Sequence, residues 1–240
     1  MSLEWFYVYS QRYEALHHML QDSIKDPRFN VKPLFVDQSE FTKTTYREGT
    51  THFLAGCFIK QEVVLHILKK LPLNTYFLFT DVDCVITKEA GLYDFFKGYM
   101  DKEIDMAYMW EGSSSSNIGV SLLRVNEKTI AFYESVLKKG RENPTMVDQN
   151  IIVSLLPEFR GQVAHFDKSV LCLSNYYAET EPKSGILLVQ VLCCCTPDYK
   201  QNMMQKYMGA KALGVPIEQY IQKAIDNGRT PDELGVIMHP

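Results

Sequence analysis

Long apolar runs are missing from this 240-residue sequence, and none approaches the roughly 18 residues that a membrane-spanning helix needs. The first residues, MSLEWFYVYSQRYE, contain no basic segment followed by an apolar one, so no secretory signal peptide is expected. A basic excess is also absent, since the formal net charge is -4. This charge argues against a broad nucleic-acid or membrane surface. Together, these absences predict a cytoplasmic protein that binds no nucleic acid.

Cysteine patterns that would suggest zinc or a disulfide framework are absent too. The six cysteines include the adjacent triplet at 193–195, and no CxxC pair occurs. Neither a tetrahedral zinc site nor a disulfide-stapled fold suits this spacing. We therefore expect reduced thiols packed inside an intracellular protein.

The sequence does contain enough apolar residues for one large core. Hydrophobic residues make up 46% and charged residues 22%, which is ordinary for a globular chain. This length and composition predict one large domain, or one domain with an appendage.

Short apolar strands alternate with amphipathic helices through most of the chain. The pattern predicts strands at 5–9, 31–36, 75–79, 105–110, 118–125 and 186–192. It predicts helices at 12–24, 53–71, 92–99, 127–139 and 147–156. Such alternation indicates an α/β fold of the Rossmann type, with a mostly parallel sheet flanked by helices. Ligands of such folds bind beyond the carboxyl ends of the strands.

The end of the chain changes character. Helices are expected near 198–208, 216–227 and 231–237, separated by glycine- and proline-containing breaks that begin at Gly209. We predict a main α/β domain over residues 1–208 and a helical tail or linker over residues 209–240. Such a linker would connect to a following domain if the chain is part of a longer protein.

Two carboxylates directly follow a buried strand in YFLFTDVDCVIT, at Asp81 and Asp83. Charge in such a place is costly unless something binds it. One interpretation is structural: the two side chains cap a turn and accept backbone hydrogen bonds. A second is a phosphatase of the haloacid dehalogenase type, whose nucleophile motif FTDVDCV fits. That family also needs a downstream acidic pair and has its motif on the first strand, and this sequence offers neither.

A third interpretation rests on three stretches that occur in order. They are residues 52–86, which carry the aspartates, SNIGVSLLRVNEKTIAFYESVL at 116–137, and TMVDQNIIVSLL at 145–156. Together they resemble nucleotide-sugar glycosyltransferases of the GT-A fold, in which an Asp-x-Asp motif holds a metal. The resemblance extends over about residues 1–200. The sequence looks like a small transferase of the kind that large algal DNA viruses encode, in which such a domain can stand at the start of a longer chain. A viral enzyme of this kind would act in the host cytoplasm.

The resemblance implies a metal-dependent enzyme that moves a sugar from a nucleoside-diphosphate donor, a UDP-sugar, to a hydroxyl of a glycan or glycoprotein acceptor. Mn²⁺ or Mg²⁺ on Asp81 and Asp83 would bridge the donor diphosphate. The residues that the resemblance assigns to the donor nucleotide and diphosphate are Ser10, Arg12, Asp37, Lys60, Asp81 and Asp83. For Arg12 and Lys60, a solvated charge on a helix surface is an equally good interpretation.

Asp148 and Gln149 match the catalytic pair of retaining relatives, beside the donor sugar. A simpler interpretation makes Asp148 an N-cap or first-turn residue that the helix dipole favours. Trp110 and Glu111 are candidates for the acceptor wall. No acidic residue can be identified as a general base for inversion, so retention is the preferred outcome.

One departure from the family pattern concerns the last metal ligand. Many relatives have a late histidine, and this sequence has Gln190 there, a weaker ligand for Mn²⁺. His165 is expected to be a packed surface histidine, and Lys200 could approach the diphosphate. The missing histidine leaves open a catalytically weakened sugar-nucleotide-binding domain.

Overall fold

Two sheets organise the chain in the computed structural model, which describes residues 2–37, 52–111, 115–173, 185–191 and 197–213. The strands in these ranges are β1 Leu3–Tyr9, β2 Phe29–Phe35, β3 Tyr76–Thr80, β4 Cys84–Ile86, β5 Met106–Glu111, β6 Ser115–Arg124, β7 Val163–His165, β8 Leu171–Leu173 and β9 Leu188–Gln190. The α-helices are α1 Glu14–Ser23, α2 His52–Lys70, α3 Leu92–Asp101, α4 Glu127–Glu142, α5 Asp148–Leu155 and α6 Pro197–Leu213. Short 3₁₀ turns occupy Gln11–Tyr13 and Leu156–Glu158.

The larger sheet has six strands in the order β2-β1-β3-β6-β5-β7. All of them run parallel except β6, which is antiparallel to both β3 and β5. The amino end of β6 therefore meets the carboxyl ends of β3 and β5. The predicted α/β architecture, a mostly parallel sheet flanked by helices, is confirmed.

Helices cover both faces of this sheet, which explains why its central strands are apolar throughout. In β3, Phe77 and Phe79 enter a core with α2, α4 and α5, while Tyr76 and Leu78 enter a core on the other face. That second core includes buried side chains of α1, α3 and α6. Alternate burial on two faces anchors β3, so its carboxyl end is a rigid position for functional groups.

A smaller three-stranded sheet, in the order β4-β9-β8, lies next to the carboxyl end of β3. Strands β4 and β9 are antiparallel, with Cys84 opposite Gln190. The chain passes from β3 to β4 through the two aspartates, so each carboxylate is fixed by a different sheet.

Several elements differ from the sequence expectations. Strands β4, β7 and β8 were not expected, and β9 is shorter than the predicted 186–192 strand. Helix α6 does not end before Gly209 but continues to Leu213, because a helix tolerates one glycine at a cost of about 1 kcal/mol. The helices expected at 216–227 and 231–237 lie outside the described residues.

Two further findings concern the other expectations from composition. No helix in the described part of the chain combines the length and apolarity that crossing a membrane requires. Cys57 and Cys84 are free thiols, and burial is the largest cause that raises the pKa of each.

Candidate active site

Asp81 and Asp83 lie where the two sheets meet. The backbone N–H of Asp81 donates to the Gly119 carbonyl of β6 at 2.7 Å. The carbonyl of Asp83 accepts from the N–H of Val191, just after β9, at 2.8 Å. The Asp83 residue is only 4% exposed, while the side chain of Asp81 is about one-third exposed. The turn that carries both carboxylates is thus held from two sides.

Each carboxylate has a lysine partner, one from each face of the larger sheet. Lys60 of α2 donates to Asp81 Oδ1 at 2.7 Å, and Lys200 of α6 forms an ion pair with Asp83. Burial acts to lower the pKa of both lysines, but the facing carboxylates outweigh it and raise each pKa above its ordinary value. Burial raises the pKa of Asp83, and Lys200 opposes this effect. Lys200 therefore favours the ionised form of Asp83 against the effect of burial.

Gln190 completes this group from β9. Its side-chain Nε2 donates to Asp81 Oδ2 at 3.0 Å and lies 3.5 Å from Asp83 Oδ1. The residue is 2% exposed, and its Oε1 is buried without a hydrogen-bond partner among the described residues. We refer to Lys60, Asp81, Asp83, Gln190 and Lys200 as the carboxylate–lysine cluster.

Gly119 makes room for Gln190. A Cβ atom at this position would lie 1.9 to 2.2 Å from the Gln190 side-chain amide atoms, far inside van der Waals contact. Only glycine therefore fits beneath Gln190 unless the glutamine moves. In the sequence, Gly119 belongs to the SNIGV stretch, one of the three stretches on which the resemblance rests. In the structure, this stretch lies in β6, which pairs with β3.

Asp148 and Gln149 begin helix α5, but Asp148 is not its N-cap. The N-cap position is Val147, and no side chain caps the helix there. Asp148 Oδ2 accepts from Gln61 Nε2 at 2.6 Å, and its Oδ1 accepts from the backbone N–H of Gln149 at 2.9 Å. Burial raises the pKa of Asp148, while the charge of Lys60 lowers it. Lys60 thus links Asp148 electrostatically to the carboxylate–lysine cluster.

Gln149 is held by a second acidic side chain. Its Nε2 donates to Glu111 Oε2, at the end of β5, at 2.6 Å. A carboxylate can only accept, so this bond requires the NH₂ group of Gln149 to face Glu111. Glu111 is therefore a partner of Gln149, an arrangement that the sequence did not indicate.

The predicted nucleotide residues lie on the neighbouring strands of the same sheet edge. Ser10 directly follows β1 and is buried, Arg12 is exposed in the first 3₁₀ turn, and Asp37 is exposed two residues beyond β2. The N–H of Val36 donates to the carbonyl of Tyr9 at 2.8 Å, which ties the ends of β1 and β2 together. In the strand order, β1 lies next to β3 and β2 lies one strand further out, so Ser10 and Asp37 follow strands on the β1–β2 side of the carboxylate–lysine cluster.

Trp110 and His165 lie on the β5–β7 side. The ammonium of Lys168 sits 4.5 Å from the centre of the Trp110 ring. His165 Nε2 forms a 2.6 Å hydrogen bond with Ser116 Oγ. His165 is thus a surface histidine bonded to Ser116, as expected.

Gln61 was not predicted from the sequence as a site residue, although its side chain donates to Asp148. A single glutamine on a helix belongs to no motif and to no repeating pattern, so nothing in the sequence marks it as functional.

Comparison with known proteins identifies the family. The sequence profile of the nucleotide-diphospho-sugar transferases matches residues 15–204. This range includes the whole carboxylate–lysine cluster, Asp148 and Gln149. No curated protein matches the chain in sequence.

Solved glycosyltransferase structures share the fold. A glycosyltransferase involved in glycosylation of the major capsid of PBCV-1 superposes with a TM-score of 0.61 at 14% identity, covering 85% of this chain and 100% of that one. The galactosyltransferase LgtC, solved with donor and acceptor sugar analogues, gives 0.56 at 10% identity, over 87% and 96%. Mouse xyloside xylosyltransferase 1 gives 0.52 at 10% identity, over 80% and 98%.

The family and the fold together decide against the phosphatase interpretation of the aspartates. They agree with the α/β architecture. The family profile covers well over half of this chain, so the chain belongs to the nucleotide-diphospho-sugar transferases, a family of glycosyltransferases.

Proposed function

We propose that the chain moves a sugar from a UDP-sugar to a hydroxyl of a glycan or glycoprotein acceptor, with a divalent metal ion and with retention of the anomeric configuration. The observation that carries this proposal is the carboxylate–lysine cluster at the carboxyl end of β3. Two partly buried ammonium groups and two carboxylates in one place suit a ligand that combines a diphosphate with a cation.

The residues present fit Mn²⁺ or Mg²⁺. Oxygen ligands suit these cations, and Asp81 and Asp83 supply carboxylate oxygens. The described residues hold no group of three or more His, Cys, Asp or Glu side chains that could bind a metal. Gln190 is the third candidate, because its amide contacts both carboxylates and its Oε1 has no described partner. When bound, the cation would stabilise the negative charge that develops on the departing diphosphate.

The donor would lie across the strand ends. Lys60 and Lys200 would bind phosphate oxygens, since ammonium groups bind phosphate as point charges. Ser10 and Arg12 would contact the base or ribose. Asp37 would accept the N3–H of uracil, and this proposed contact is the reason for naming a UDP-sugar as the donor.

Asp148 and Gln149 would hold the donor sugar and the acceptor hydroxyl in reacting positions. In the transfer, the bond between the anomeric carbon and the phosphate oxygen breaks, and its electron pair leaves with UDP. The acceptor oxygen forms the new bond on the same face of the sugar, and its proton passes to the leaving diphosphate. The hydrogen bonds that fix both side chains support a positioning role, since positioned groups lose little entropy during reaction.

A thermal-shift panel of UDP- and GDP-sugars, each with Mn²⁺ and with a chelator, tests the proposal. A donor at about a hundred times its dissociation constant should stabilise the protein by roughly 2.7 kcal/mol. We expect this shift with a UDP-sugar and Mn²⁺ and its loss with chelator. NMR of the glycoside product then reports the anomeric configuration. Donor binding without release of UDP would instead favour a sugar-nucleotide-binding domain.

A further inference from the structure

We propose that Gln61 of helix α2 is a positioning residue for transfer, which acts by fixing the Asp148 carboxylate. This inference rests on the proposed function, because Asp148 is assigned there to the donor sugar and the acceptor hydroxyl. It adds a residue that lies 87 positions away from Asp148 in the sequence and outside the motif that contains it.

Gln61 is buried at the centre of the site. The residue is 1% exposed, and its Nε2 donates to Asp148 Oδ2 at 2.6 Å. A buried amide needs hydrogen-bond partners, and a bond to a charged group is stronger than one between neutral groups. The position of Gln61 on α2 therefore determines where one oxygen of Asp148 lies.

Both oxygens of Asp148 are held from different directions. Oδ2 accepts from Gln61, and Oδ1 accepts from the backbone N–H of Gln149. Two donors on the two oxygens fix the plane of a carboxylate, whereas one donor leaves it free to turn. The Cys57 thiol also interacts with this carboxylate, but a thiol is a weak donor. Without Gln61 we therefore expect Asp148 to keep its place at the start of α5 but to lose its fixed orientation.

Helix α2 connects the two acidic parts of the site. Its consecutive residues Lys60 and Gln61 contact Asp81 and Asp148, which come from the end of β3 and the start of α5. Core contacts of Phe58 and Val64 on the same helix anchor this segment. A single helical turn thus sets the distance between the carboxylate–lysine cluster and the sugar-binding pair.

Gln61→Met tests this inference because methionine keeps the length and apolar volume of the side chain and removes the donor. We expect release of UDP from UDP-glucose, UDP-galactose or UDP-xylose, whichever the wild type hydrolyses fastest, to slow by about 10- to 100-fold in kcat. Affinity for UDP with Mn²⁺ should change less than about twofold, since the described hydrogen bond of the Gln61 side chain goes to Asp148 and not to a residue assigned to the diphosphate. Glu62→Gln, on the next residue of the helix, is the control and should keep wild-type kcat.

A double-mutant cycle of Gln61→Met and Asp148→Asn shows whether Gln61 acts by positioning Asp148 or only supports the fold. If Gln61 acts through Asp148, the double variant should be no slower than Asp148→Asn alone, because coupled residues are not additive. Multiplied losses in the double variant would overturn the inference. So would wild-type kcat in Gln61→Met while Asp148→Asn is slow. Wild-type kcat in Asp148→Asn would instead refute the role of Asp148 in the proposed function.

A structure of Gln61→Met gives a readout that does not depend on turnover. We expect the Asp148 carboxylate to leave the orientation that it has beside Gln61. An unchanged carboxylate would overturn the inference even if no donor sugar were hydrolysed. If Gln61→Met does not fold, Gln61→Asn keeps an amide but shortens its reach by one methylene, and the same outcomes apply.

Discussion

Asp83 and Lys200 form an ion pair between the turn after β3 and helix α6. The carboxylate is almost fully buried, and Lys200 is the partner that balances its charge from α6. Taking two charges out of water costs free energy, and removing one of them leaves the other uncompensated. A buried ion pair is therefore weak evidence of stability, and the proposed function instead gives this pair a role in donor binding.

We predict that Asp83→Ala lowers the free energy of unfolding by about 3 kcal/mol, because it leaves the Lys200 ammonium buried without its carboxylate. Urea unfolding measures this change. In Asp83→Ala/Lys200→Met the unpaired charge is gone, so part of the loss should return. Neither variant should show Mn²⁺-dependent nucleotide binding. Full binding by Asp83→Ala in the presence of Mn²⁺ would contradict the assignment of Asp83 to the metal.

Gly119 supports a second prediction at this scale. The close approach of Gln190 leaves no space for a Cβ atom, so Gly119→Ala should displace the glutamine and cost about 1–3 kcal/mol of stability through overpacking. The concentration of Mn²⁺ that is needed for half-maximal UDP binding should rise, since Gln190 would leave the carboxylates.

The double variant Gly119→Ala/Gln190→Ala separates the loss of stability from the loss of Mn²⁺ affinity. Adding Gln190→Ala to Gly119→Ala should restore stability because the crowded side chain is removed, but it should not restore Mn²⁺ affinity. Restored affinity in the double variant would show that Gln190 has no part in metal binding. Isothermal titration of UDP at graded Mn²⁺ concentrations measures the affinity in each variant.

At the scale of elements, the sequence predicted the long strands and helices and missed the short ones. Strand β3 was predicted from its apolar run, and the structure shows why that run is continuous: the strand is buried on both faces. Strand β4 has three residues, too few for any periodicity, and it exists because it pairs with β9 about a hundred residues later. Contacts of this kind depend on the fold, so a single sequence does not reveal them.

In the site, too, the features that are local in sequence were predicted and the contacts between distant residues were not. Asp81 and Asp83 were predicted because two charges after an apolar strand are visible locally. The bonds from Gln61 to Asp148 and from Glu111 to Gln149 join residues that are distant in sequence, and only the folded chain brings them together. The roles of Ser10, Arg12 and Asp37 stay predictions.

Two helical glycines form a matched pair that tests the packing of the elements. A Cβ atom at Gly98 in α3 would meet nothing within 4 Å, whereas one at Gly140 in α4 would lie 1.8 Å from the Phe58 ring of α2. Gly98→Ala should raise stability by about 0.5–1 kcal/mol through helix propensity. Gly140→Ala should instead lower it by about 1–3 kcal/mol, because α2 and α4 cannot stay in contact. Thermal unfolding of both variants is the measurement, and equal effects would contradict this packing.

At the scale of the whole molecule, α6 contributes both to the hydrophobic core and to the candidate active site. Met204 and Tyr207 are buried in the core shared with α1, and Lys200 on the same helix reaches Asp83. The family match ends at residue 204 and the described helix at Leu213. A boundary at residue 208 would cut this helix, so the catalytic unit that we propose extends to Leu213.

We therefore predict that a chain ending after Leu213 keeps the core and its affinity for UDP and Mn²⁺. A chain ending after Val191 should lose both, because it lacks Lys200 and the two core residues of α6. The thermal shift that UDP and Mn²⁺ cause is measured for the full chain and for the chains that end after Leu213 and after Val191. Circular dichroism shows which of the three chains fold. A well-folded chain of 213 residues that no longer binds UDP would show that residues 214–240 contribute to the donor site. Equal binding by the full chain and the 213-residue chain would leave those residues for another role, such as the connection to a following domain.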